Sequence, residues 1–94
     1  MLELKLLDEG TVQVKGRLDA AEADRALATL NQVPGPLTLD CGGLEYISSA
    51  GISVIMQTLK RLTAHGSRLT LIGLQPRVRN VFVYAGLDKV LDIR

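Results

Sequence analysis

Between Leu37 and Ile72 two short apolar strands flank a helix-periodic segment, and few arrangements accommodate that order in so short a space. Leu37 to Cys41 reads as a strand, and Arg68 to Ile72 reads as another. Between them Ile52, Ile55, Met56, Leu59 and Leu62 recur at three- and four-residue steps, while Gln57, Lys60, Arg61 and Thr63 fall elsewhere. Gly66 after His65 is a natural stop for that helix. A strand–helix–strand unit of this kind favours parallel pairing with a right-handed crossover.

The rest of the chain extends the same scheme. Leu2, Leu4 and Leu6 alternate with Glu3 and Lys5, Asp8-Glu9-Gly10 supplies a turn, and Val12 and Val14 alternate with Thr11, Gln13 and Lys15. These residues predict a hairpin with one buried face. Asp19 with Glu22 three residues later predicts a capping box for a first helix, which carries Ala23, Leu27 and Leu30 and ends before Pro34-Gly35-Pro36. Pro76 suits the first turn of a final helix bearing Val78, Val81, Phe82 and Ala85, which Gly86 stops. Val90 to Ile93 reads as a last short strand. The expected fold is α/β, one domain over residues 1–94 with a mixed sheet of four or five strands packed with helices.

The junction between the Leu37 strand and the central helix carries the chemistry. A glycine turn at Gly42-Gly43 leads to Leu44, Tyr46 and Ile47, then to Ser48 and Ser49 at the start of the helix. Backbone N–H groups lack intrahelical partners there, and serine is a preferred cap. That end of a helix also favours negative charge, so a phosphate is accommodated. Loops beyond the carboxyl ends of parallel strands gather functional residues, so Asp19 and Ser49 are expected at one end of the domain. Asp19 is first of all a cap, Ile47 suits the core, and Tyr46 suits core or interface equally.

Strand-ending Asp40, Gly43-Leu44, Tyr46-Ile47, Ser48-Ser49, Ala50-Gly51 and the apolar helix after them resemble the signature of STAS domains, nearest to bacterial anti-sigma factor antagonists. Gly16-Arg17-Leu18-Asp19 resembles the family's first strand-to-helix junction. Leu71-Ile72-Gly73-Leu74 with Pro76-Arg77-Val78, Val81-Phe82 and Ala85-Gly86-Leu87 resembles its C-terminal third. Ser48 stands where relatives commonly have an acid, and Cys41-Gly42 where they often have Leu-Ser.

The resemblance implies an anti-sigma factor antagonist whose binding to a serine-kinase anti-sigma factor is switched by phosphorylation, releasing a sigma factor when unphosphorylated. Alignment on Gly51 puts the phosphoacceptor at Ser49, with Ser48 as the second choice. Asp19, Tyr46, Ser48, Ser49 and Gly51 are the expected partner-binding residues, Gly51 because a side chain there could obstruct the kinase. A metal-dependent, PP2C-like serine phosphatase would reset the switch, and a monomer is the simplest expectation. The alternative implied by the same fold is a STAS regulatory subunit of an ABC-type, lipid-trafficking transporter ATPase.

Composition narrows the classes. The chain carries 11 basic and 10 acidic residues, a net charge of +1, and only 3% aromatics, so no electrostatic footprint or stacking surface for nucleic acid is expected. One cysteine excludes an internal disulfide and a cysteine-ligated metal site, and Cys41 suits a small buried side chain. The alternating, charged N-terminus is unlike a signal peptide, and no apolar run approaches the roughly 18 residues a span needs. The expected location is therefore cytoplasmic.

No catalytic residue, cofactor or metal site is expected. The one histidine, His65, lies at the far end of the helix that Ser49 begins, more than about 20 Å away at 1.5 Å per residue. Gly51-Ile52-Ser53-Val54-Ile55 lacks the final glycine of a nucleophile elbow.

Overall fold

A computed structural model describes residues 1–94. The alternation at the N-terminus becomes a hairpin of β1 (Leu2–Asp8) and β2 (Thr11–Leu18), and Asp8 Oδ1 accepts the Gly10 N–H at 2.9 Å inside its turn. Then follow α1 (Ala23–Leu30), β3 (Leu37–Ile47), α2 (Ser49–Ala64), β4 (Leu69–Ile72), α3 (Pro76–Tyr84), a 3₁₀ turn at Leu87–Lys89 and β5 (Asp92–Ile93). The five strands lie side by side in chain order. β1 is antiparallel to β2, and every other neighbour pair is parallel. Right-handed crossovers along a sheet built in one direction place all the helices on the same face.

Burial follows from that arrangement. Val12, Val14, Leu18, Leu39, Leu44, Ile47, Leu69 and Leu71 point under the helices and are buried. Their strand neighbours Thr11, Gln13, Thr38, Asp40 and Thr70 form a polar face that no helix covers. α2 packs on α1, β3 and β4 and contributes Val54, Ile55, Thr58 and Leu62 to the core. Ile52, Met56 and Leu59, predicted for the buried stripe, are only partly covered. Thr58 takes a core position because its hydroxyl donates to Val54 O at 2.8 Å and leaves its methyl for packing. Arg61 ties α2 to the end of α1, donating from Nη2 to Leu30 O and Val33 O at 2.9 Å each. Gly66, at φ 71°, closes α2 where its sequence predicts.

Two local expectations fail for identifiable reasons. Gly42-Gly43 is not a turn, because β3 runs through it to Ile47 and neither glycine has a positive φ. The glycine at 43 serves close approach instead, since a Cβ there would lie 2.6 Å from Lys15 Cγ on β2. The Asp19–Glu22 capping box also does not form. α1 begins at Ala23, its N-cap Glu22 makes no side-chain cap bond, and Asp19 Oδ1 accepts the Ala21 N–H at 3.1 Å. The Glu22 carboxylate is drawn off to Leu2 N at 2.9 Å, a longer-range partner that outcompetes the cap.

Candidate partner-binding site

β2 and β3 end together. Leu18 is paired with Ile47, and Ser48 N–H carries the ladder one residue further by donating to Leu18 O at 3.0 Å. Ser48 is still extended, with ψ 176°, and the chain then turns into α2. Its hydroxyl accepts the Gly51 N–H at 3.2 Å and its carbonyl accepts Ile52 N–H at 2.9 Å, the geometry of a serine N-cap. Ser48 is half-buried in this role.

Ser49 is the first helical residue and is exposed. The N–H groups of the first helical residues have no acceptor within the helix, and the first turn of α2 holds no acidic side chain. A dianion on Ser49 would therefore meet the positive end of the helix dipole with no competing carboxylate in that turn. The two hydroxyls are adjacent in sequence and differ in task, since one closes the helix and the other faces solvent.

Gly51, expected as a partner-binding residue, lies inside the domain. It is buried, and a Cβ on it would lie 2.4 Å from Leu18 O, 2.8 Å from Ile47 Cγ1 and 2.9 Å from Leu18 Cγ. The glycine lets the first turn of α2 press against the end of β2. A Cβ on Gly51 would therefore point into the domain, against Leu18 and Ile47.

Beside the serines, Arg17 and Tyr46 are register partners on the open face of the sheet. The Arg17 guanidinium lies 4.1 Å from the centroid of the Tyr46 ring, and Arg17 Nε is 3.9 Å from Asp19 Oδ2. All three are accessible, with Tyr46 40% exposed and the Arg17 and Asp19 side chains 53% and 32% exposed. At this exposure the cation–π contact contributes about 0.5–1 kcal/mol and the ion pair about 0–1 kcal/mol. The trio is assembled within the single chain but loosely held.

Asp19, Tyr46, Ser48 and Ser49 therefore converge at one end of the sheet, around a buried Gly51. Arg17 is the member that sequence reasoning left out of the site. Alternation along β2 would have put it on the polar face with Lys15, but its pairing with Tyr46 could not be foreseen. β3 carries two register shifts, so its partners slide from Gln13↔Asp40 to Lys15↔Gly43 to Arg17↔Tyr46.

The remaining candidates lie elsewhere. Exposed His65 caps the far end of α2, with Nδ1 2.8 Å from Arg61 O. Cys41 is 1% exposed, and burial, helped by the charge of Asp40, pushes its thiol up to about 12. A shallow concavity lined by Glu9, Gly10 and Pro34–Pro36 contains none of the site residues. No group of three or more His, Cys, Asp or Glu side chains is placed to hold a metal, and no helix is long and apolar enough to cross a membrane.

Comparison with known proteins identifies the family. The family model described as "Mlab, STAS domain" matches residues 4–92. A Bordetella bronchiseptica protein named an anti-sigma factor antagonist, BtrV, is 32% identical over 84 residues, 85% of this chain and 72% of that one. The anti-sigma-B factor antagonist of Listeria monocytogenes is 29% identical over 99 residues, covering 99% of this chain and 87% of its own. Among solved structures, the unphosphorylated anti-sigma factor antagonist SpoIIAA superposes with a TM-score of 0.72 at 18% identity, over 100% of this chain and 87% of that one. The phosphorylated Bacillus SpoIIAA gives 0.73 at 20% identity, over 100% and 91%. These two likenesses show the fold. With the family model spanning nearly its whole length and antagonists as its curated relatives, the chain belongs to the STAS-domain family, in its anti-sigma factor antagonist branch.

Proposed function

We propose that this protein binds a kinase-type anti-sigma factor through the end of the sheet that carries Asp19, Tyr46 and Ser49, and that phosphorylation of Ser49 ends the complex. The observation that carries this reading is the division of labour between the serines: Ser48 Oγ is engaged by Gly51 N–H, while Ser49 is exposed at the first helical position. The kinase transfers the γ-phosphoryl group of ATP to Ser49 Oγ. The P–O bond to ADP breaks as the new P–O bond forms, and the hydroxyl proton leaves to a base or to water.

The product carries about −1.5 to −2 additional charges and three acceptor oxygens. The helix end tolerates them, so the fold persists in both states. A partner surface closed against a neutral hydroxyl does not tolerate them. A penalty of about 3 kcal/mol there weakens binding more than a hundredfold. A metal-dependent serine phosphatase restores the binding form. On this reading the chain is a substrate and a switch rather than an enzyme, and it acts as a monomer that engages its partner one-to-one.

Intact-mass and peptide mass spectrometry after incubation with candidate anti-sigma kinases and ATP tests the reading. One phosphate on Ser49, lost in Ser49→Ala and kept in Ser48→Ala, supports it. Phosphate on Ser48 alone overturns the assignment. A second reading, a regulatory subunit held on an ABC transporter ATPase, is favoured by the description of the matching family model. Stable co-purification with such an ATPase, without any phosphate on the chain, would move the assignment there.

A further inference from the structure

β1 closes one side of the sheet, so its outer edge has no strand beside it. Its pairing with β2 decides which backbone groups face that edge. Arg17 N–H donates to Met1 O across the Leu2↔Gly16 pair, which makes Leu2, Leu4 and Leu6 the positions whose N–H and C=O turn away from β2. At Leu2 those groups are already taken. Glu22 Oε2 accepts the Leu2 N–H at 2.9 Å, and Arg25 Nη2 donates to the Leu2 carbonyl. Glu22 and Arg25 also pair with each other at 3.1 Å. The side chains of the α1 N-cap residue and of Arg25 in its first turn thus offer one acceptor and one donor to a single residue, as a neighbouring strand would. At the other end of the edge, a register shift after Leu6 breaks the regular strand.

The stretch between these two guards is complementary to itself. Leu2-Glu3-Leu4-Lys5-Leu6 is antisymmetric in charge about Leu4. An antiparallel pair of β1 strands centred on Leu4 sets each exposed Glu3 opposite the exposed Lys5 of a second copy. It also sets each Leu6, 59% exposed in the single chain, beside the other copy's Leu2. Every hydrogen bond of that pairing, apart from those between the two Leu4 residues, uses an N–H or C=O of Leu2.

We propose that the Glu22–Arg25 pair is a clasp that withholds the β1 edge from a second copy of this chain, and that opening it lets two β1 strands join into one continuous sheet. The charge order selects the occupant. A second copy satisfies Glu3 and Lys5 at once, whereas an unrelated strand does so only if it happens to carry the opposite pattern. The clasp is placed to open, because the Arg25 side chain is 51% exposed and the Glu22 side chain 20% exposed. The clasp lies near the same end of β2 as the serines, since Leu2 pairs with Gly16, but the inference uses neither serine and does not rest on the serine switch.

The test is sedimentation velocity with light scattering on the full chain and on Glu22→Ala/Arg25→Ala, over about 10–300 µM, with circular dichroism to establish folding. The parent is expected to stay at 10.2 kDa and the double variant to approach twice that mass, with self-association at least tenfold tighter. Adding Lys5→Glu to the double variant should return it to a monomer by setting like charges opposite each other. Mixing that triple variant with Glu22→Ala/Arg25→Ala/Glu3→Lys should restore a dimer made of one copy of each. A folded double variant that remains monomeric overturns the proposal, and so does a dimer indifferent to Lys5→Glu. If the double variant does not fold, Arg25→Ala alone, which frees the Leu2 carbonyl, meets the same two outcomes.

Discussion

The two parallel strands that end at Leu18 and Ile47 hand over to their helices in different ways. After Ile47 the chain enters α2 directly: Ser48 caps, Gly51 presses against Leu18, and Ser49 is exposed at once. After Leu18 it wanders through Asp19, Ala20 and Ala21 before α1 begins at Ala23, and the N-cap position holds no side-chain cap bond. The carboxylates of this looser junction are used sideways, Asp19 toward Arg17 and Glu22 toward β1. A tight junction holds a reactive group at a fixed height. A loose one leaves charged groups free to meet a partner or guard an edge.

The largest test of that contrast is at Ser49. Ser49→Asp should weaken binding to the cognate anti-sigma factor more than a hundredfold, about 3 kcal/mol, while Ser49→Ala binds nearly as the parent does. Isothermal calorimetry would show this, and equal affinity of the two variants would sink the switch. Gly51→Ala comes next. Alanine gains about 1 kcal/mol in helix propensity, but its methyl would enter space held by Leu18 O and Ile47. Overpacking against backbone should win, for a net loss of about 2 kcal/mol in urea unfolding. A neutral or stabilising result would mean that the junction is not tight.

Ser48→Ala removes the cap and should cost about 1 kcal/mol while leaving Ser49 open to phosphorylation, as unfolding and peptide mass spectrometry would report. Cys41 gives a handle of similar size on the strand that feeds the tight junction. Its thiol is raised from the ordinary 9.0 to about 12 in the folded chain. The associated stability is fully present below pH 9 and is lost as pH rises from there toward 12. Between pH 8 and 10 the parent should lose about 1 kcal/mol more than Cys41→Ala. A parallel decline in both proteins would contradict the assigned burial effect. The smallest change is expected on the loose side, where Asp19→Ala should alter stability by less than about 0.5 kcal/mol and act, if on anything, on partner affinity.

Local pattern made much of this legible. The hairpin, the three helices and the strand–helix–strand unit all follow from periods and stop signals spanning a few residues. So does the placing of two serines at a helix start, with Asp19 at the same end of the sheet. Other features needed the third dimension. The pair Gly42-Gly43 reads as a turn by composition, yet it lies inside β3 because Lys15 crosses close by. Asp19 and Glu22 have capping-box spacing, yet Leu2 on a strand twenty residues earlier claims the glutamate.

The sequence by itself determined the order of elements and the end of the sheet where the hydroxyls gather. Those properties depend on side-chain period and on caps that act within one turn. Only the tertiary structure decided that Ser48 closes the helix while Ser49 faces outward, that Gly51 is buried, that Arg17 stacks on Tyr46, and that Glu22 serves β1. Each of these depends on how far one strand slips past another and how closely a helix approaches it. Two extra residues in β3 move its end against β2, and no local rule within either strand records where that slip occurs.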